Sequence, residues 1–313
     1  MRFIIVSFFA LMLHSLSAQD KSYSVVLHGG AGSFDSKNFS PEQKENYNQF
    51  FEQLLAMADS MALAGDSAMK IVTAVIVKME DNPMFNAGRG AVLTEDGYAE
   101  LDASVMDGTT LKAGAVAGVR TIKNPILAAQ EVMLHSPHVF LTGRGAEQFA
   151  QLRKLEMVDS SYFVTDEMKL RYEKIKSGKN GTVGCVVRDV YGNICAGTST
   201  GGMMMKKWGR VGDSPVIGAG TFADSRVAGI SCTGHGEYFI RYAVSYDIIA
   251  RLKYGHQSLK EAMHAVLFDV LLPAGGTGGI IGVDAEGNIV VDFNTSGMFR
   301  ASTTESGRHV IVY

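Results

Sequence analysis

Thr182 stands between Gly181 and Val183-Gly184, directly after the polar stretch Ser177-Gly178-Lys179-Asn180. A threonine hydroxyl is a weak nucleophile until a base stands beside it. Cutting the Gly181–Thr182 bond would give Thr182 a free α-amine, whose ordinary pKa of roughly 7.7–8.0 suits proton transfer near neutral pH. On its own, Gly181-Thr182-Val183-Gly184 reads equally well as a turn entering a strand. A second piece of chemistry lies in Arg210-Val211-Gly212-Asp213. A guanidinium and a carboxylate at that spacing usually form a solvated surface ion pair. The same pair can also recognise an amino acid, the guanidinium gripping an α-carboxylate through two hydrogen bonds and the carboxylate taking an α-ammonium. A third candidate is Thr233-Gly234-His235-Gly236, where a strand gives way to a helix. Such a glycine-bearing helix start offers free N–H groups to an anion or a developing oxyanion.

The elements that must position these residues are marked in the sequence. Val183, Cys185 and Val187 alternate with Gly184, Val186 and Arg188, Tyr191-Gly192-Asn193 signals a turn, and a second short run spans 194–200. This predicts a hairpin that begins at Thr182 and returns to Thr200. Residues 23–27 predict a strand running into His28-Gly29-Gly30-Ala31-Gly32, a cluster that lets backbone approach a neighbour closely. Ser40-Pro41-Glu42-Gln43 predicts a capped helix start, with Phe50, Leu54, Met57, Ala58 and Met61 at helical spacing. Asp66 is expected to cap the next helix, whose apolar face is Ile71, Val72, Val75, Ile76 and Met79. Residues 100–108 and 112–119 read as strands, and Asp102 and Asp107 as turn or surface carboxylates. His135 and His138 flank Ser136-Pro137, a loop spacing and not a metal site. Residues 236–255 read as one helix, and Ser258-Leu259-Lys260-Glu261 as a capping box opening another. Gly275-Gly276-Thr277-Gly278-Gly279 lacks the following lysine of a phosphate loop. Residues 160–180 are polar and charged and read as a linker.

Composition sets outer bounds. The chain has 313 residues, ample for a core, and a formal net charge of -3 with no basic block. It therefore gives no reason to expect nucleic acid or an anionic membrane as partner. Residues 1–18, with Arg2, an apolar run over 3–13 and Ser15-Leu16-Ser17-Ala18, read as an export signal peptide, and the run is short for a membrane span. A periplasmic or extracellular location is the expectation. Three cysteines, Cys185, Cys195 and Cys232, cannot pair completely. A bridge between Cys185 and Cys195 across the hairpin is open, though buried free thiols suit this cysteine density better.

Taken together, the blocks from about residue 23 to 300 resemble the plant-type asparaginase/isoaspartyl aminopeptidase family of threonine N-terminal nucleophile hydrolases. The matching stretches are His28-Gly29-Gly30-Ala31-Gly32, Asn86, Gly181-Thr182-Val183-Gly184, Thr200, Arg210 to Asp213, Thr233-Gly234, Gly236 and Phe293-Asn294-Thr295. The resemblance implies an α/β fold of four αββα layers and self-cleavage into an alpha part (19–181) and a beta part (182–313). It implies Thr182 as nucleophile, oriented by Thr200, with Thr233 and Gly234 at the oxyanion. Arg210, Val211, Gly212, Asp213, Thr233, Gly234, His235, Gly236 and Asn86 would surround the substrate. His235 replaces what is commonly a small polar residue. No cofactor is implied for the chemistry, but a structural sodium is, on the main-chain oxygens of Met79, Glu80, Asn82, Phe85, Ala87 and Arg89. A small molecule or short peptide is the implied substrate, and a dimer of cleaved pairs the implied assembly. Glycosylasparaginase and threonine endopeptidase share this chemistry, and an uncleaved amino-acid-binding protein would use the Arg210/Asp213 pair alone.

Overall fold

The computed structural model describes residues 22–32, 39–174 and 181–312. The expected leader and residues 175–180 of the expected linker lie outside them. The strands are β1 Ser24–Gly32, β2 Leu101–Asp107, β3 Ala113–Val119, β4 Phe140–Thr142, β5 Val183–Arg188, β6 Ile194–Thr200, β7 Thr221–Asp224, β8 Ala228–Gly234, β9 Gly278–Asp284, β10 Ile289–Phe293, β11 Gly297–Thr304 and β12 Gly307–Ile311. Between them run α1 Pro41–Leu63, α2 Ala68–Glu80, α3 Pro125–His135, α4 Gly143–Leu152, α5 Asp166–Lys174, α6 Gly236–Arg241, α7 Val244–Gly255 and α8 Leu259–Ala265. A large sheet has the order β12-β11-β1-β5-β6-β2-β3-β4 and a small one β10-β9-β8-β7.

Alternation along each strand sorts the side chains into layers. On β5, Cys185 and Val187 face the helices α1 to α3, where Phe51, Leu55, Ile71, Ile76 and Val132 are buried. Val186 faces the other way and packs between the sheets with Val26, Ile194, Ala196, Ile281 and Val283. Beyond the small sheet, Ile230 and Ile280 pack against Phe239, Ile248, Met263 and Leu267 from α6 to α8 and the π-helical segment Val266–Leu271 that continues α8. Each large side chain fully buried this way stabilises the fold by roughly 1.5–3 kcal/mol. The result is the four-layer αββα sandwich that the resemblance implied.

Both predicted capping boxes form, Ser40 with Gln43 and Ser258 with Glu261. Other expectations change. Ser67, not Asp66, caps α2, and Asp66 instead pairs with Lys70 at 2.6 Å. The helix expected over 236–255 breaks at Ala243, which adopts φ 47°. The first N–H groups of α7 explain the break, because Ser245 and Tyr246 donate to the carbonyls of Ala219 and Gly218. Asp102 is fully buried rather than a surface group, whereas Asp107 does close a turn by accepting from Thr109 and Thr110. The expected linker begins as ordered structure, since Phe163 and Met168 are buried in the core. Cys185 faces Gly197 and Cys195 faces Val187, so the register sets them off from each other, and all three thiols are free and buried.

Candidate active site

The hairpin register decides where the nucleophile sits. Val183 faces Ser199, so Thr182 arrives opposite Thr200 at the open end of β5 and β6. The Thr182 hydroxyl donates to Thr200 Oγ1 at 3.1 Å, and Gly202 N–H donates to the same oxygen at 2.9 Å. Thr200 in turn donates to the carbonyl of Gly181 at 3.1 Å. Asn86 Nδ2 donates to that carbonyl at 2.6 Å and to the Gly202 carbonyl at 2.8 Å, while Asn86 Oδ1 accepts from Val92 N–H. The carbonyl of the Gly181–Thr182 bond is thus held by two donors, and the threonine hydroxyl beside it is already hydrogen-bonded to a proton acceptor.

Asn86 is carried by the loop after α2. Gly88 has φ +50°, and a Cβ there would overlap the Glu80 carbonyl oxygen; a Cβ at Gly90 would overlap the carbonyl oxygens of Phe85 and Pro83. The glycines therefore allow the chain to turn tightly against the carbonyls of Glu80, Pro83 and Phe85, and main-chain oxygens are the donor type a hard cation takes. No cluster of His, Cys, Asp or Glu suited to a metal occurs among the described residues. The Glu80 side chain turns away from this loop and accepts from Ser199 Oγ at 2.7 Å and Ile126 N–H at 3.0 Å. Burial pushes its carboxyl up to about 8 against the pull of those bonds.

Arg210 and Asp213 reach the same pocket as Thr182, Thr200 and Gly234. Arg210 grips Glu237 in bidentate fashion, Nε to Oε1 and Nη2 to Oε2, both at 2.9 Å. Asp213 is buried with its Oδ2 unpartnered. Desolvation pushes its carboxyl up to about 7, with Arg210 pulling the other way. An unpartnered carboxylate oxygen beside an arginine is what an incoming ammonium and carboxylate require. Val211 and Gly212 form the link between the two. Gly236 must be glycine for them to pack, because a Cβ there would stand 2.8 Å from Asp213 Oδ1 and 2.9 Å from Arg210 Nη2.

Thr233 and Gly234 bring the small sheet to the site. Thr233 Oγ1 accepts from Ala31 N–H at 3.4 Å, and Gly234 adopts φ +154° with no room for a Cβ against the Thr277 carbonyl. The helix after them, α6, is only six residues long, so the dipole expected from a long helix is reduced to that of a short one. His235 is half exposed, packs against Tyr238 and lies 3.7 Å from Glu237; among the described residues no hydrogen bond joins it to the three threonines.

Sequence reasoning missed several neighbours. Nothing local pairs Arg210 with Glu237, and nothing marks Asp102 as buried near Lys206, whose charge eases the desolvation that raises the aspartate. The hydroxyl row on β6 did carry a signal, since Thr198 and Thr200 share a strand face.

A family model described as asparaginase matches residues 21–312. The chain belongs to this family. It is 46% identical over 296 residues to the isoaspartyl peptidase of Salmonella typhimurium, an alignment covering 88% of this chain and 94% of that one. The isoaspartyl peptidase of Escherichia coli matches at 46%, covering 88% and 91%. A probable isoaspartyl peptidase/L-asparaginase of Arabidopsis thaliana matches at 40%, covering 91% and 97%.

Proposed function

We propose that this member of the asparaginase family cleaves itself before Thr182 and then removes isoaspartyl residues from short peptides and hydrolyses L-asparagine. The observation that carries the reading is the threonine hydroxyl hydrogen-bonded to Thr200 beside a peptide carbonyl held by Asn86 and Thr200.

In self-cleavage, Thr182 Oγ1 attacks the Gly181 carbonyl carbon and loses its proton toward Thr200. Negative charge develops on the carbonyl oxygen, where Asn86 Nδ2 and the Thr200 hydroxyl already point. The C–N bond breaks, the threonine nitrogen takes up a proton, and an ester joins Gly181 to Thr182 Oγ1. Water hydrolyses that ester and frees the α-amine. Turnover repeats the attack with the α-amine as base. The substrate α-carboxylate lies on Arg210, sharing or displacing Glu237, and its α-ammonium on Asp213. Its side-chain carbonyl then meets Thr182, with Thr233 and Gly234 at the oxyanion. Ammonia or a peptide amine leaves, and water releases aspartate.

Asparagine and an N-terminal isoaspartyl residue present the same three groups: a free α-amine, a free α-carboxylate and a side-chain amide. One clamp therefore serves both. The carbonyls of Met79, Glu80, Asn82, Phe85, Ala87 and Arg89 would hold a sodium ion that stiffens the Asn86 loop and takes no part in a step. Assembly as a dimer of cleaved pairs follows from the family resemblance, and export from the apolar N-terminal run.

Intact mass and a denaturing gel, comparing wild type with Thr182→Ala, test the mechanism. Two fragments meeting at Gly181/Thr182 in the wild type alone are expected. Turnover is then compared on an isoaspartyl dipeptide, asparagine, glycosyl-asparagine and a longer peptide. Preference for the third would make the chain a glycosylasparaginase, and preference for the fourth an endopeptidase. An uncut chain that binds aspartate without turnover would make it a binding protein.

A further inference from the structure

His28 is fully buried directly behind the nucleophile, a position that the mechanism above does not use. Its Nδ1 lies 3.0 Å from the Thr182 carbonyl oxygen and its Nε2 3.1 Å from Ser231 Oγ. A carbonyl only accepts, so Nδ1 carries the hydrogen, and in a neutral ring Nε2 is then the acceptor. Burial keeps the ring neutral, lowering its pKa to about 3.

This tautomer sets the direction of everything behind it. Ser231 must donate to Nε2, which commits its one proton, so Thr198 donates to Ser231 at 2.7 Å. Thr221 donates to Thr198 at 2.6 Å. Ser104 lies 2.9 Å from Thr221 Oγ1 and 2.6 Å from the Ser214 carbonyl, one residue from Asp213. The competing acceptors, Gly220 and Ser214 carbonyls for Thr198 and Thr221, stand farther off at 3.4 Å. These side chains are all buried between the two sheets. The chain therefore has one sense from Thr221 to the back of the nucleophile, while Ser104 gives its own proton to the Ser214 carbonyl and only packs against Thr221.

The second glycine of Gly181-Thr182-Val183-Gly184 supports this arrangement independently. A Cβ at Gly184 would overlap both His28 Nε2 and Ser231 Oγ. Gly184 is thus glycine because an imidazole and a serine occupy the space its side chain would need. A bulge in β1 between His28 and Gly30 re-aims the strand at this point.

We propose that His28 is a positioning residue for the reaction. Its Nδ1–H fixes the Thr182 carbonyl, and with it the angle at which Oγ1 and the freed α-amine meet the substrate. The hydroxyl chain from Nε2 runs back to Thr221, which packs against Ser104, the donor to the Ser214 carbonyl beside Asp213. The proposal rests on Thr182 being the nucleophile.

Three variants of the full chain separate positioning from plain packing. His28→Asn places an amide nitrogen where Nδ1 stands and is expected to keep self-cleavage and kcat close to wild type. His28→Gln places its amide near Nε2 instead, and Ser231→Ala removes the donor to Nε2. His28→Gln is expected to slow self-cleavage and lower kcat by about 100-fold, the scale of a slightly misplaced reacting group. KM for the isoaspartyl dipeptide should hold steady, with rates taken per active site by titration. Ser231→Ala should fall between the two. Equal activity in the Asn and Gln variants, or losses that vanish once normalised to folded sites, would overturn the proposal. The tautomer is checked without any substitution by imidazole ¹⁵N shifts of the wild-type protein. A non-titrating ring protonated at Nδ1 supports the proposal, and one protonated at Nε2 overturns it. A wild type that neither cleaves nor turns over removes the nucleophile reading itself, and this inference with it.

Discussion

Asp213 shows how one buried carboxyl can tie recognition to pH. Its native pKa of about 7 lies well above the roughly 3.9 of an unfolded aspartate. Ionising it in the empty site therefore lowers stability as pH rises from about 4 through about 7. A substrate or product ammonium reverses that penalty, because it binds the ionised form. The competitive inhibition constant of L-aspartate should accordingly tighten as pH rises through about 7. In Asp213→Asn the rise should flatten and the constant should weaken throughout. Arg210→Lys removes the planar fork that now holds Glu237 by two bonds, and should raise KM by about tenfold or more while self-cleavage proceeds. Asn86→Leu addresses the other reaction. Losing one preformed donor to the developing oxyanion is expected to slow fragment formation on gels by about 10²–10³-fold. The residue types were legible at all three positions. That Glu237 occupies Arg210, from 27 residues downstream, was not, since no local spacing relates them.

At the scale of elements, the hairpin and the loop after α2 do the positioning. Apolar alternation and the Tyr191-Gly192-Asn193 turn predict the hairpin, and its register sets Thr182 opposite Thr200, a neighbour that the family resemblance had implied. The loop was different, since the main-chain oxygens proposed to hold a sodium carry no side-chain signature. Gly90→Ala tests how tightly it is folded. The new Cβ would meet two backbone carbonyls that cannot swing away, so a loss on the order of 1–3 kcal/mol in denaturant unfolding is expected, with slower self-cleavage as Asn86 shifts. The break at Ala243 was hidden for a related reason. Helical spacing continues through it, and tertiary bonds from Ser245 and Tyr246 to Ala219 and Gly218 override the pattern.

Across the whole molecule, the site exists because two sheets face each other. Thr182 and Thr200 come from the large sheet, Thr233 and Gly234 from the small one, and a buried polar seam runs between them. That seam has a consequence for acid stability. His28 is neutral when folded, with its pKa lowered to about 3, while an unfolded histidine takes up a proton near 6.5. The unfolded state therefore binds more protons below about pH 6.5, and stability falls as pH drops toward about 3. In denaturant titrations between pH 6 and 4, His28→Asn should show a shallower loss than wild type. The sequence by itself determined the hairpin and the residue types of nucleophile and clamp, because periodicity, turn residues and short motifs are local, while the layer order was implied by the family resemblance. Tertiary structure alone decided the partners: which carboxylate holds Arg210, which ring backs Thr182, which aspartates are buried. Those depend on contacts between residues far apart in the chain, and only the closed sandwich brings them together.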